Sequence, residues 1–170
     1  MVATESRKAR RSPGSSVMPD AADALGVLAE YTVSEQDLTR GGIERSIKND
    51  AYNVTASYVL TGEDASYKGI KPSAPYTVGG EGWGAVEVVA RIGGLNVDNA
   101  AFAGVAGTDR LADPSKQASK AESYGLGVNW VLTQNAKLTA DYNFTQFEGG
   151  NGASDRRDEK AVFTRLTIQY

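Results

Sequence analysis

Six charged residues fall at alternate positions within runs that are otherwise apolar or small and polar: Arg91, Lys137 and Arg165, with Glu30, Glu87 and Asp141. Alternate positions of a strand share a face, so each charge stands on a polar face backed by an apolar one. Two kinds of chemistry suit such a set. Paired carboxylates across a cleft can hydrolyse a glycosidic bond, with Glu87 and Asp141 as the candidates. Cations and carboxylates along a water-filled wall instead select the ions that pass it. Nothing in the spacing places two carboxylates across a substrate cleft, and no enzyme is expected. The 170 residues contain no His and no Cys, which excludes a Ser-His triad, a Cys-His pair, a Cys/His zinc site and a disulfide framework. No metal and no cofactor is expected.

The elements carrying these charges read as strands. Apolar residues recur at every second position, the strand period, in Leu25 to Gln36, Ala51 to Thr61, Trp83 to Ile92, Tyr124 to Leu132, Leu138 to Phe144 and Ala161 to Tyr170. The fourth and fifth runs are joined around Gln134 and Asn135 as a hairpin. The fold class is therefore all-β and antiparallel, with about six strands. Ten residues at about 3.3 Å each, tilted by about 40°, rise roughly 25 Å, the height of the apolar band of an outer-membrane barrel. If the last strand ends on the periplasmic side, Asp37 to Asp50, Gly94 to Lys120 and Glu148 to Lys160 are outer loops and Asn135 lies in a short inner turn. Thr61 to Gly82 is long for an inner connection and could hold an extra hairpin at Tyr76 to Val78.

The same parity gathers Tyr58, Trp83, Trp130 and Tyr170 at the inner boundary and Tyr52, Tyr124 and Phe144 at the outer one. Two such aromatic girdles fit a membrane barrel, with outer-membrane lipid as a partner. The rival is a small structural or ligand-binding β-barrel or β-sandwich without channel activity. A mean hydropathy of -0.36 does not choose between them, because a spanning strand averages its two faces. With 18 Lys and Arg against 21 Asp and Glu, a nucleic-acid partner is not expected.

Residues 1–24 are read as a disordered basic tail, with Arg7 to Arg11 as RKARR, and residues 25–170 as the β segment. The tail lacks an apolar run that could serve in an export signal, and an upstream start would account for that. The Gly149 to Asp155 stretch reads as a flexible loop tip. The Gly80, Gly82, Gly84 run lacks the spacing of a nucleotide site. Lys68 and Lys71 are loop charges that could meet a passing anion.

AYNVTASYVLTGED (Ala51 to Asp64), GWGAVEVVARIGGLNVD (Gly82 to Asp98), YGLGVNWVLTQNAKLTADY (Tyr124 to Tyr142) and DEKAVFTRLTIQY (Asp158 to Tyr170) together resemble the C-terminal part of the phosphate-selective porin O and P family. The resemblance implies a trimeric sixteen-stranded barrel in the bacterial outer membrane that passes anions such as phosphate. It also implies a terminal strand, ending at Tyr170, of the kind the barrel-assembly machinery recognises. Arg91, Lys137 and Arg165 are the best cationic pore-lining candidates, set against Glu30, Glu87 and Asp141. The alternative is that the three cations pair with cross-strand carboxylates. Three against three gives no anion preference by count. Six strands leave both sheet edges unpaired, and an unpaired edge in lipid is costly.

Overall fold

A computed structural model describes residues 10–17, 24–66 and 68–169. It contains β1 (Arg10–Val17), β2 (Leu25–Arg40), β3 (Ile43–Val59), β4 (Ala85–Asn96), a 3-10 turn (Asn99–Ala101), β5 (Ala118–Thr133), β6 (Ala136–Asn151), the short β7 (Ser154–Asp155) and β8 (Glu159–Ile168). Seven strands form one antiparallel sheet in the order β1-β2-β3-β4-β5-β6-β8, while β7 pairs only with the far end of β6. Among the described residues β1 and β8 do not pair, so the sheet is open, as part of a barrel wall would be. Both edge strands run toward the Gln134–Asn135 turn. No described helix is long and apolar enough to cross a membrane, which leaves crossing by strands untouched.

The register explains why the alternation was visible. Directly opposed residues share a face. Tyr31 faces Tyr52, Val54 faces Ile92, Ala90 faces Leu126, Val128 faces Ala140 and Leu138 faces Leu166. Every run thus adds its apolar side to one continuous surface. On that surface Leu126, Val162, Leu166 and Ile168 are well over half exposed. A contiguous apolar surface of this extent marks a membrane or protein contact rather than a water-facing wall.

Several expectations need correction. Asp37 to Asp50 is no outer loop: β2 and β3 continue through it and close on Gly41 and Gly42, with φ of 60° and 79° respectively. A two-residue hairpin turn of this hand requires positive φ at both positions, which glycine adopts at no steric cost. The extension escaped the pattern because Ser34, Glu35, Gln36, Asp37 and Lys48 put polar residues on both faces, leaving no alternation to read. Likewise β6 continues to Asn151 before the β7 turn. Tyr76 to Val78 forms no strand, since Pro72 and Pro75 beside it interrupt ladder hydrogen bonding. Arg10–Val17, inside the expected tail, runs as β1 against β2; backbone pairing at an edge needs no apolar alternation. Residues 1–9 and 18–23 of the expected tail, together with Tyr67 and Tyr170, lie outside the described residues.

What little core exists lies on the other face, at its two ends. Val59, Ala85 and Val131 share the face of Glu87 and are buried under Ala65 and Ile70 of the long β3–β4 connection. At the opposite end Ile47 is buried, and the 3-10 turn of the β4–β5 connection packs against β3. Both long connections therefore fold back over the polar face. Gly84 permits the first of these returns: its φ is 79° and its amide donates to Ala74 O at 2.8 Å, while an added Cβ would collide with the Val131 carbonyl. Gly84→Ala is expected to lower stability by about 2 kcal/mol or more. Gly79→Ala, also at positive φ but with open space around it, should cost only about 1 kcal/mol. Urea titration of the two variants refolded in lipid vesicles measures the difference.

Candidate functional site: the polar face of the sheet

All six charges singled out in the sequence stand on this face. Glu30 is opposite Asn53, Arg91 lies between Thr55 and Gly125, Glu87 is opposite Asn129, Asp141 lies between Gly127 and Phe163, Lys137 is opposite Thr167 and Arg165 is opposite Thr139. A polar row crosses four strands: Asn129 Nδ2 donates to Glu87 Oε2 at 2.8 Å, Thr139 Oγ1 donates to Asn129 Oδ1 at 2.7 Å, and Arg165 follows in register. Gly125 and Gly127 are small for a local reason, since a Cβ at either would run into the Asn143 amide or the Asp141 carboxylate lying across it. The cross-strand pairing considered for the cations is not what the structure forms. Among the described residues, none of the six takes part in a salt bridge.

Toward the Gln134–Asn135 turn the face opens into a polar cavity of about 390 Å³ under the β3–β4 connection. Lys68 and Lys71 from that connection join Lys137 and Glu87 in its lining. Three lysines and one glutamate thus line this cavity, an imbalance invisible in a count over the whole face. Lys68 and Lys71 were legible only as loop charges, because nothing in sequence fixed the direction in which that loop returns.

At the other mouth an ion pair pins the β4–β5 connection down. Arg45 shares the polar face, and its Nη2 donates to Asp109 Oδ2 at 2.6 Å while Nη1 donates to Ala103 O and Asp109 O at 2.8 and 2.9 Å. Asp109 is 6% exposed, and its Oδ1 accepts the Val105 amide at 2.7 Å. Arg40 reaches the same connection through Arg110 O at 2.7 Å. Asp98 ties down its start, accepting from the amides of Lys48 and Ala100 at 2.9 Å each. These residues were missed in the sequence. Arg45 and Asp109 are 64 positions apart, and no local pattern marks such a pair.

Aromatic residues lie toward both ends of the apolar face. Trp83 stacks on Trp130 with centroids 6.3 Å apart, and Trp130 Nε1 donates to Trp83 O at 2.7 Å. Tyr76, which the sequence reading left out, meets Trp130 edge-on at 5.9 Å. At the far end Tyr124 stacks on Phe144 at 6.4 Å, and Tyr31 joins Tyr52 in register. Tyr58 is half exposed on the apolar face near the first of these bands, and Tyr170 is outside the described residues.

The latch at Asp109 titrates with a definite sign. The Val105 amide, and then the Arg45 guanidinium, hold its carboxyl below the ordinary carboxylate range against the opposing effect of burial. A lowered folded value means that the latch is intact above that range and is lost as pH falls below about 4. Asp109→Ala should raise the rate of tryptic cleavage after Arg110 and Lys116 about tenfold or more at neutral pH while the strands stay protected. In the unmutated chain, pepsin should begin to cut the connection only below that pH.

The model of the family described as phosphate-selective porin O and P matches residues 21–170. No curated protein matches the chain. The match covers the polar face, both aromatic bands and all strands from β2 onward, and the chain belongs to the phosphate-selective porin O and P family.

Proposed function

We propose that this chain forms part of the wall of a bacterial outer-membrane pore for passive diffusion of small hydrophilic solutes, with anions such as phosphate preferred. The observation that carries this reading is the unequal chemistry of the sheet's two faces. One face is apolar and banded by aromatics, while the other bears unbridged charges and is overhung at each end by a connection. Family membership points to a channel rather than an enzyme and to the outer membrane. The anion preference rests on Lys68, Lys71 and Lys137 around Glu87 at the turn-side mouth. A passing anion there is attracted across water by three charges and opposed by one.

Outer-membrane lipid then meets the apolar face, small anions enter the lumen, and the barrel-assembly machinery recognises the C-terminal strand. A trimer of closed barrels is the corresponding assembly. Closure has a parity condition. Since β1 and β8 run the same way, direct pairing between them would be parallel, and an all-antiparallel barrel takes an odd number of further strands between them. That agrees with the even strand number of bacterial outer-membrane barrels.

The test is ion selectivity in planar bilayers with the full chain refolded into lipid. A pore whose reversal potential in a salt gradient favours chloride or phosphate over potassium is expected. Changing Lys68, Lys71 and Lys137 together to Gln should lower the anion-to-cation permeability ratio about five- to tenfold, given charges acting over roughly 8 Å of screened water. A folded, membrane-inserted protein that passes no ions, or whose selectivity ignores the three substitutions, would contradict the reading.

A further inference from the structure

The apolar face is not flat. Toward the end of the β4–β5 connection it holds a hollow of about 360 Å³ lined by Tyr124, Leu126, Tyr142, Phe144 and Lys160. A second hollow of about 620 Å³ shares Leu126 and Tyr142 with the first and runs on over Ala56, Ala90 and Ala140 toward Tyr58 and Leu25. The alanines are the reason for the depression, since larger residues flank each of them in register: Ala90 lies beside Leu126, and Ala140 beside Val128. Together the hollows make a diagonal groove from β8 and β6 down to β3 and β2. The groove spans four residues along the strand and five strand spacings across, so it extends roughly 25 Å in its longer dimension.

One end of the groove is charged. Lys160 stands opposite Phe144 on the apolar face, its Nζ 5.7 Å from the ring centroid. Among the described residues it has no carboxylate within salt-bridge distance, whereas Lys120, further along the same rim, is engaged by Glu122 at 2.9 Å and Glu148 at 3.1 Å. A long apolar groove ending in an unbridged ammonium at an aromatic band is complementary to a molecule with a long apolar tail and an anionic head. We infer that this groove holds an anionic phospholipid, its acyl chain over the three alanines and its phosphate at Lys160. The inference rests on the reading of this face as the membrane face. It adds a specific lipid class and a residue that selects it.

The test uses the full chain refolded in vesicles of phosphatidylcholine containing phosphatidic acid, then extracted for native mass spectrometry with its retained lipid counted. Wild type should retain phosphatidic acid over phosphatidylcholine about fivefold beyond their ratio in the vesicle, the scale of one lysine at a lipid phosphate. Lys160→Gln should abolish that preference, Lys160→Arg should keep it, and Ala90→Leu should reduce retention of both lipids by filling the groove. Inorganic phosphate at millimolar level should not displace the retained lipid. Equal retention of the two lipids by wild type, a preference that survives Lys160→Gln, displacement by free phosphate, or a lipid-free oligomer in which a second copy fills the groove would each overturn the proposal. Quenching of Trp83 and Trp130 by brominated phosphatidylcholine is read in parallel. Quenching without lipid preference removes this inference alone, whereas its absence removes the membrane-face reading as well.

Discussion

Antiparallel pairing places directly opposed residues on one side of the sheet, and every other feature of this molecule depends on its strands keeping that register. A slip of one residue would turn an entire strand's apolar set onto the polar face and its charges onto the apolar one. Here the penalty falls on both faces at once, because the apolar face has no core behind it to absorb an error. Backbone groups add a second condition, since those in hydrocarbon must find partners within the sheet. The interior strands β2 to β6 meet it on both sides, and among the described residues β1 and β8 each leave one edge unpaired.

The register also decides where the long connections can go. Both return over the polar face, where small apolar clusters and backbone hydrogen bonds hold them without disturbing the apolar surface. At one mouth the attachment is mainly packing, through Val59, Ala65, Ile70, Ala85 and Val131. At the other it is mainly polar, through Arg45, Asp98 and Asp109. The two mouths therefore differ in chemistry: the packed one gathers lysines around the opening, and the polar one neutralises its principal arginine with an aspartate. A solute passing along the polar face would meet a cationic mouth, a central wall of unbridged alternating charges, and a mouth whose strongest charges are already matched.

The strands, their faces and the aromatic bands were legible because period-two alternation is a local signal carried by consecutive residues such as Tyr124 to Leu132. It vanished where β2 and β3 rise beyond the apolar band, since both faces there are polar, and the hairpin is announced only by Gly41 and Gly42. The six charges of the polar face were likewise legible one strand at a time. Their surroundings were not. Whether Lys68 turns toward Lys137, or Asp109 toward Arg45, depends on the path of a connection and on contacts between residues many positions apart. The alanine groove is hidden for a similar reason, because Ala56, Ala90 and Ala140 are ordinary strand residues until the register places them side by side.

The central claim is that one face of this sheet meets lipid and the other meets water. Nitroxide labels placed singly at positions 137 to 142, in the chain refolded into bilayers, test it most directly through their collision rates with oxygen and with a water-soluble nickel chelate. A two-residue alternation is expected, with 138, 140 and 142 exposed to oxygen and 137, 139 and 141 exposed to the chelate. Uniform accessibility along the strand, or alternation of the opposite phase, would contradict it.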